Sequence, residues 1–216
     1  MSPFCWQSTF PAVNMSFSSH APDASLAGVS LEIARGFLLD VLCRDAYREG
    51  DFTLSSGQKS SYYINCKPVT LDPHGALAIG RLLLAKLPPD TVAVAGLTLG
   101  ADPIVSAVSV VSALENRPVK AAIVRKEAKG HGTQAYIEGP GLPAGSPVVV
   151  LEDVVTTGKS AMQAVERLRD AGYRVDRILS LVDRQQGGSE FYASVGLHFE
   201  ALFAIPELAA HLRTAN

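Results

Sequence analysis

Five short, nearly uninterrupted apolar runs, Val92–Ala95, Val119–Val124, Pro147–Leu151, Ile178–Val182 and Ala201–Ile205, recur from Val92 onward in this 216-residue chain. They are rich in β-branched residues and too short for ordinary helices. The stretches between them, at about 102–115 and 159–171, carry helical periodicity, and a short helix is expected after Pro206. A strand that is apolar on both faces must be covered on both, which a parallel sheet with crossover helices achieves. The expected fold is therefore α/β and doubly wound, with about five central strands flanked by helices. Ligands in such sheets sit beyond the carboxyl ends of the strands, so the strand-to-helix loops are where chemistry is sought.

The chain ahead of Val92 reads differently. Leu31, Ala34, Leu38, Val41 and Leu42 recur at helical spacing behind Ser30, a good N-cap. Asp72-Pro73 opens a second helix, with a capping residue followed by proline at the first helical position. That helix runs through Leu77, Leu83 and Leu87 to Pro88-Pro89. Residues 1–27 are dominated by Ser, Pro and Ala, and Asp23 is the only formally charged side chain before Glu32. Such a segment is expected to be a flexible extension to a single domain at 28–216, with Met15 as an alternative start. Lacking Lys and Arg, it fits neither a secretory signal nor a transit peptide.

Bulk charge narrows the ligands. Nineteen Lys plus Arg against 21 Asp plus Glu give a formal charge of -2, so no basic field exists to hold a nucleic acid. A phosphate-bearing ligand has to be bound locally. Cys5, Cys43 and Cys66 are odd in number, far apart and without metal-ligand spacing, and are expected to be reduced thiols of a cytoplasmic protein. The apolar stretches around Val92–Ala101 and Pro103–Leu114 are split by Asp102 and too short to cross a bilayer.

The most informative segment is Val148–Ser160. An apolar strand delivers two adjacent carboxylates, Glu152 and Asp153. Val154, Val155, Thr156, Thr157 and Gly158 follow, and a helix begins near Lys159 and Ser160. Hydroxyls and backbone N–H groups at a helix N-terminus favour an anion, with room for one phosphate. Thr157-Gly158-Lys159-Ser160 looks like the end of a Walker A loop, but the glycine that loop needs five positions earlier is Asp153, so the ATPase reading fails. Carboxylates ahead of a phosphate cradle suit hydroxyls instead: they can accept from a ribose diol while the turn holds its 5′-phosphate.

The segment resembles the 5-phosphoribosyl 1-diphosphate (PRPP) motif of the type I phosphoribosyltransferases. The resemblance implies that fold, a parallel sheet with a small N-terminal hood, with Glu152 and Asp153 on the ribose hydroxyls and Val154–Ser160 around the 5′-phosphate. A second segment, Arg125-Lys126-Glu127-Ala128-Lys129-Gly130-His131-Gly132 with Ile137-Glu138-Gly139 beyond it, concentrates cations and an imidazole suited to diphosphate, and its glycines suit a loop that opens and closes. It resembles the catalytic loop of the orotate phosphoribosyltransferase family, which reaches across a homodimer into the neighbouring site. On that resemblance Arg125, Lys126, Lys129 and His131 bind diphosphate, and Lys129, His131 and Asp153 are the catalytic residues.

Two further stretches agree. Phe52–Tyr63 is similar to the family's S-G-x-x-S-x-Y signature, and Leu181-Val182-Asp183-Arg184-Gln185 to its L-x-D-R strand end, whose arginine meets the orotate carboxylate. Thr156 matches a contact to the pyrimidine ring. The chain departs from many bacterial relatives at Ser55, where they carry lysine, and at Leu99-Gly100, where they carry Tyr-Lys. Lys59 or Lys67 is a substitute for the first, and backbone N–H groups of the 96–103 loop for the second.

The resemblance implies transfer of phosphoribose from PRPP to orotate in pyrimidine (UMP) biosynthesis, with Mg²⁺ held by diphosphate, ribose hydroxyls and water and no protein-only metal site. Two alternatives stand beside it: transfer to uracil or a purine, and a PRPP- or nucleotide-sensing regulator without catalysis.

Overall fold

The computed structural model describes residues 26–53, 59–128 and 136–214. Residues 1–25, the Ser55 departure, Lys129 and His131 lie outside them. Helix α1 (Leu31–Val41) is capped as expected, the Ser30 hydroxyl accepting from the Ile33 N–H at 3.2 Å, and it continues into a π-helical stretch at Leu42–Ala46. Two strands, β1 (Tyr47–Thr53) and β2 (Lys59–Ile64), then pair antiparallel as a separate ribbon, the hood. A short α2 (Lys67–Thr70) leads to α3 (Pro73–Lys86), where Asp72 accepts from the His74 and Gly75 N–H groups at 2.9 Å each. Such a cap is worth about 1 kcal/mol.

The main sheet follows: β3 (Ala93–Leu97), α4 (Asp102–Leu114), β4 (Lys120–Val124), β5 (Ile137–Glu138), β6 (Pro147–Val155), α5 (Lys159–Asp170), β7 (Arg174–Asp183), α6 (Gly188–Ser194), β8 (His198–Ala204) and α7 (Ile205–Thr214). Its order is β5-β4-β3-β6-β7-β8. All neighbours are parallel except the two-residue β5, which runs antiparallel along β4. The five parallel strands thus follow the doubly wound order 2-1-3-4-5, and the switch point falls between β3 and β6.

Burial explains why the apolar runs are continuous. One face of the sheet packs with Leu38, Ile79, Leu83, Ile104 and Val108 from α1, α3 and α4, and the other with Ala161, Ala164, Val165 and Leu168 from α5. β6 runs four residues further than expected, because it stays in register with β7 as far as Val155 opposite Asp183. Ile205, expected to end the last strand, instead begins α7. Ahead of α1, Leu26 is buried and its carbonyl accepts from Arg81 Nη1 at 2.6 Å. Cys43 and Cys66 are free and buried.

Candidate active site

The site is assembled at the β3–β6 switch point. Glu152 lies within β6 and is only 6% exposed, and its Oε2 is buried with no hydrogen-bond partner among the described residues. Burial first, and then the neighbouring Asp153, push its carboxyl up to about 8, while Lys126 pulls the other way. Asp153 is half-buried and its Oδ1 accepts from the Val154 N–H at 2.9 Å. Across the switch point that carboxylate occupies the space beside Gly100: a Cβ there would sit 2.7 Å from Asp153 Oδ1. Gly100 therefore leaves room for the Asp153 carboxylate. In the same loop Thr98 Oγ1 donates to Asp102 Oδ2 at 2.7 Å, and Asp102 Oδ1 is buried without a partner among the described residues.

Beyond β6 the chain turns sharply at Gly158, in the left-handed region at φ 84°, and enters α5. A cavity of about 80 Å³ is lined there by Glu152, Val154, Val155, Thr156, Thr157, Gly158, Lys159, Ser160, Ala161 and Tyr192. It coincides with the segment expected to cradle the 5′-phosphate, and the first-turn N–H groups of α5 have no carbonyl one turn earlier to bond. Tyr192, which sequence reasoning did not single out, closes the back: its hydroxyl donates to the Gly158 carbonyl at 3.1 Å, and its ring would lie 2.8 Å from any Cβ at Gly158.

At the end of β7 the Arg184 N–H donates to the Val155 carbonyl at 2.9 Å, which sets Arg184 beside Thr156. Asp183 and Arg184 do not pair: Asp183 Oδ1 accepts from the Gln185 N–H at 2.8 Å, while the guanidinium lies over the Tyr62 ring at 4.8 Å and its Nε donates to the Tyr62 hydroxyl at 3.0 Å. Arg184 Nη2 is buried with no partner among the described residues. The hood thus orients an arginine that retains an unused donor. Arg125 leaves β4 half-buried, its Nη1 on Glu138 Oε1 at 3.0 Å, and Lys126 is exposed.

Glu152 makes ligand-free stability depend on pH. The fold favours its protonated form, so between about pH 4.5 and 8 the native chain holds a proton that the unfolded chain has released, and stability falls as pH rises. At about 1.4 kcal/mol per unit the loss is on the order of a few kcal/mol. Glu152→Gln is expected to melt higher than wild type at pH 8, with the gap closing toward pH 5. Parallel melting curves across that range would refute the assignment.

A doubly wound sheet with an adjacent acid pair and a glycine turn into a helix at its switch point is the architecture of the type I phosphoribosyltransferases. A family profile described as uracil phosphoribosyltransferase matches residues 102–195. Orotate phosphoribosyltransferase of Nostoc sp. is 72% identical over 84% of this chain and 88% of its own length, and that of Thermosynechococcus vestitus is 60% identical over 88% and 98%. Among solved structures, Mycobacterium tuberculosis orotate phosphoribosyltransferase in complex with PRPP superposes with a TM-score of 0.68 at 34% identity, covering 82% of this chain and 99% of the other. The chain belongs to the orotate phosphoribosyltransferase family and is a pentosyl-group transferase.

Proposed function

We propose that the chain transfers the 5-phosphoribosyl group of PRPP to N1 of orotate, giving orotidine 5′-monophosphate and pyrophosphate, as a step of UMP biosynthesis. The observation that carries the choice of acceptor is Arg184, held on Tyr62 beside Thr156 with Nη2 unpartnered. Orotate has a carboxylate that uracil and the purines lack, and a guanidinium fixed on one side is suited to receive it. Glu152 and Asp153 accept from the ribose hydroxyls, residues 154–160 hold the 5′-phosphate, and Thr156 meets the pyrimidine ring.

Bond breaking leaves positive charge at the anomeric carbon and negative charge on diphosphate, so the residues that matter most stabilise the leaving group. Arg125, Lys126, Lys129 and His131 take that role. Mg²⁺ arriving on PRPP would be held mainly by the diphosphate, the ribose hydroxyls and water, with the unpartnered Asp102 Oδ1 at the switch point as a further hard oxygen. When bound, Mg²⁺ neutralises diphosphate charge.

The working unit is a homodimer in which part of the 125–139 loop, Lys129 included, serves the neighbouring site. Support comes from exposed apolar side chains along α4: Leu99 just before it, and Val110 and Leu114 toward its far end, which are 63% and 70% exposed. A cytoplasmic location is supported by the free, buried Cys43 and Cys66. Among the described residues no helix is long and apolar enough to cross a membrane.

The test offers orotate, uracil, adenine and hypoxanthine separately with PRPP and Mg²⁺ and measures pyrophosphate release. Turnover of orotate alone is expected. Turnover of uracil without orotate would overturn the substrate, and PRPP binding without release would identify a sensor.

A further inference from the structure

Arg167 lies in the last turn of α5, outside every motif so far considered, and makes three contacts to one place. Its Nη1 donates to the Arg125 carbonyl and its Nη2 to the Lys126 carbonyl at 2.8 Å, while its guanidinium carbon lies 4.2 Å from the centroid of the Tyr136 ring. Arg125 and Lys126 follow β4, and Tyr136 precedes β5. The two stretches also meet directly, the Arg125 N–H donating to the Tyr136 carbonyl at 2.7 Å. One half-buried cation therefore ties together the chain leaving β4 and the chain entering β5.

A helical surface arginine ordinarily faces water or an acid three or four residues away. Here the guanidinium's donors go to two successive carbonyls and its face to an aromatic ring, which uses its planar fork and its π-stacking surface together. A lysine could satisfy one of these contacts but not all three.

The position along α5 matters as much as the contacts. The helix starts at the phosphate cradle with Lys159 and Ser160, and Arg167 comes eight residues later, about 12 Å along the axis at 1.5 Å per residue. One rigid element thus connects the cradle for one end of PRPP with the backbone of Arg125 and Lys126.

We infer that Arg167 is a positioning residue for PRPP: by fixing the Arg125–Lys126 backbone and Tyr136 relative to α5, it sets where the diphosphate-binding cations stand with respect to the 5′-phosphate cradle. The inference rests on reading Arg125 and Lys126 as diphosphate ligands. It needs no contact between Arg167 and the substrate.

The full-length enzyme is compared as wild type, Arg167→Met and Arg167→Lys by steady-state kinetics and by hydrogen–deuterium exchange of the ligand-free protein. Arg167→Met is expected to raise the KM for PRPP about tenfold or more, to leave the KM for orotate within about twofold, and to speed exchange at the Arg125 amide while the amides of β6 and β7 stay protected. Arg167→Lys is expected to fall between the two. Unchanged exchange at Arg125 would overturn the inference, as would a matched rise of both KM values with a general loss of protection, which marks simple destabilisation. A wild type inactive with orotate would refute the assigned reaction, and the exchange measurement would then decide the clamp by itself.

Discussion

Lys129→Ala and Asp153→Asn subunits, each nearly inactive alone, are expected to recover about a quarter of wild-type activity when mixed and allowed to exchange. In the proposed reaction Asp153 serves the ribose, from the strand that leads into the Gly158 turn. Lys129 there serves the leaving diphosphate. Removing a preorganised charge of either kind should lower kcat by roughly 10²–10³. If the segment acts across a homodimer, a mixed dimer contains one site with both defects and one with neither. Random exchange makes half the dimers mixed, each with one working site of two, hence the quarter. The measurement is the loss of orotate absorbance after mixing, with sedimentation used to verify exchange. Verified mixed dimers without recovered activity would show that each subunit uses its own segment.

What could be read before the structure was whatever is local and contiguous. The central strands were legible because burial on both faces leaves an unbroken apolar run, as in Val148–Leu151. Helices α1 and α3 were legible because Ser30 and Asp72 announce their starts. The strand–turn–helix around Gly158 was legible because consecutive residues build it. The hood was implied by the family resemblance alone: Tyr47–Thr53 has mostly exposed side chains and offers no apolar alternation, so its pairing with Lys59–Ile64 left little trace in the pattern. Helix α6 has only seven residues, below the length at which periodicity informs, yet it carries Tyr192.

The same distinction divides the site. Gly100 against Asp153, Tyr62 against Arg184 and Arg167 against Lys126 join residues that are remote in sequence, and each depends on how the sheet brings its loops together. Motif comparison marked Gly100 as a departure from relatives, whereas the fold gives it a steric reason. Asp183 and Arg184 are adjacent in the chain, yet the structure gives the arginine to Tyr62 and the carboxylate to the Gln185 N–H. Linear motifs reveal ligand chemistry, but the groups that orient those ligands become visible only when the chain is folded.

Arg184 provides the sharpest test of acceptor choice. A charge-assisted hydrogen bond is worth roughly 1.5–3 kcal/mol, so Arg184→Met is expected to reduce kcat/KM for orotate by about 10- to 150-fold, mostly through KM. Any residual turnover of uracil, which has no carboxylate to lose, should be unaffected, so discrimination between the acceptors should collapse by the same factor. Arg184→Lys keeps the charge but not the planar fork, nor the stacking on Tyr62 at 4.8 Å, and should recover only part of the loss. Tyr62→Phe retains the ring and removes the hydroxyl that accepts from Arg184 Nε, so a smaller rise in orotate KM is expected. Stability should not fall with Arg184→Met, because the substitution removes a guanidinium whose Nη2 is already buried without a partner. Kinetics with both acceptors and a melting curve for each variant distinguish recognition from packing. If orotate and uracil lost activity in equal proportion, Arg184 would be supporting the hood against the sheet and not selecting the carboxylate.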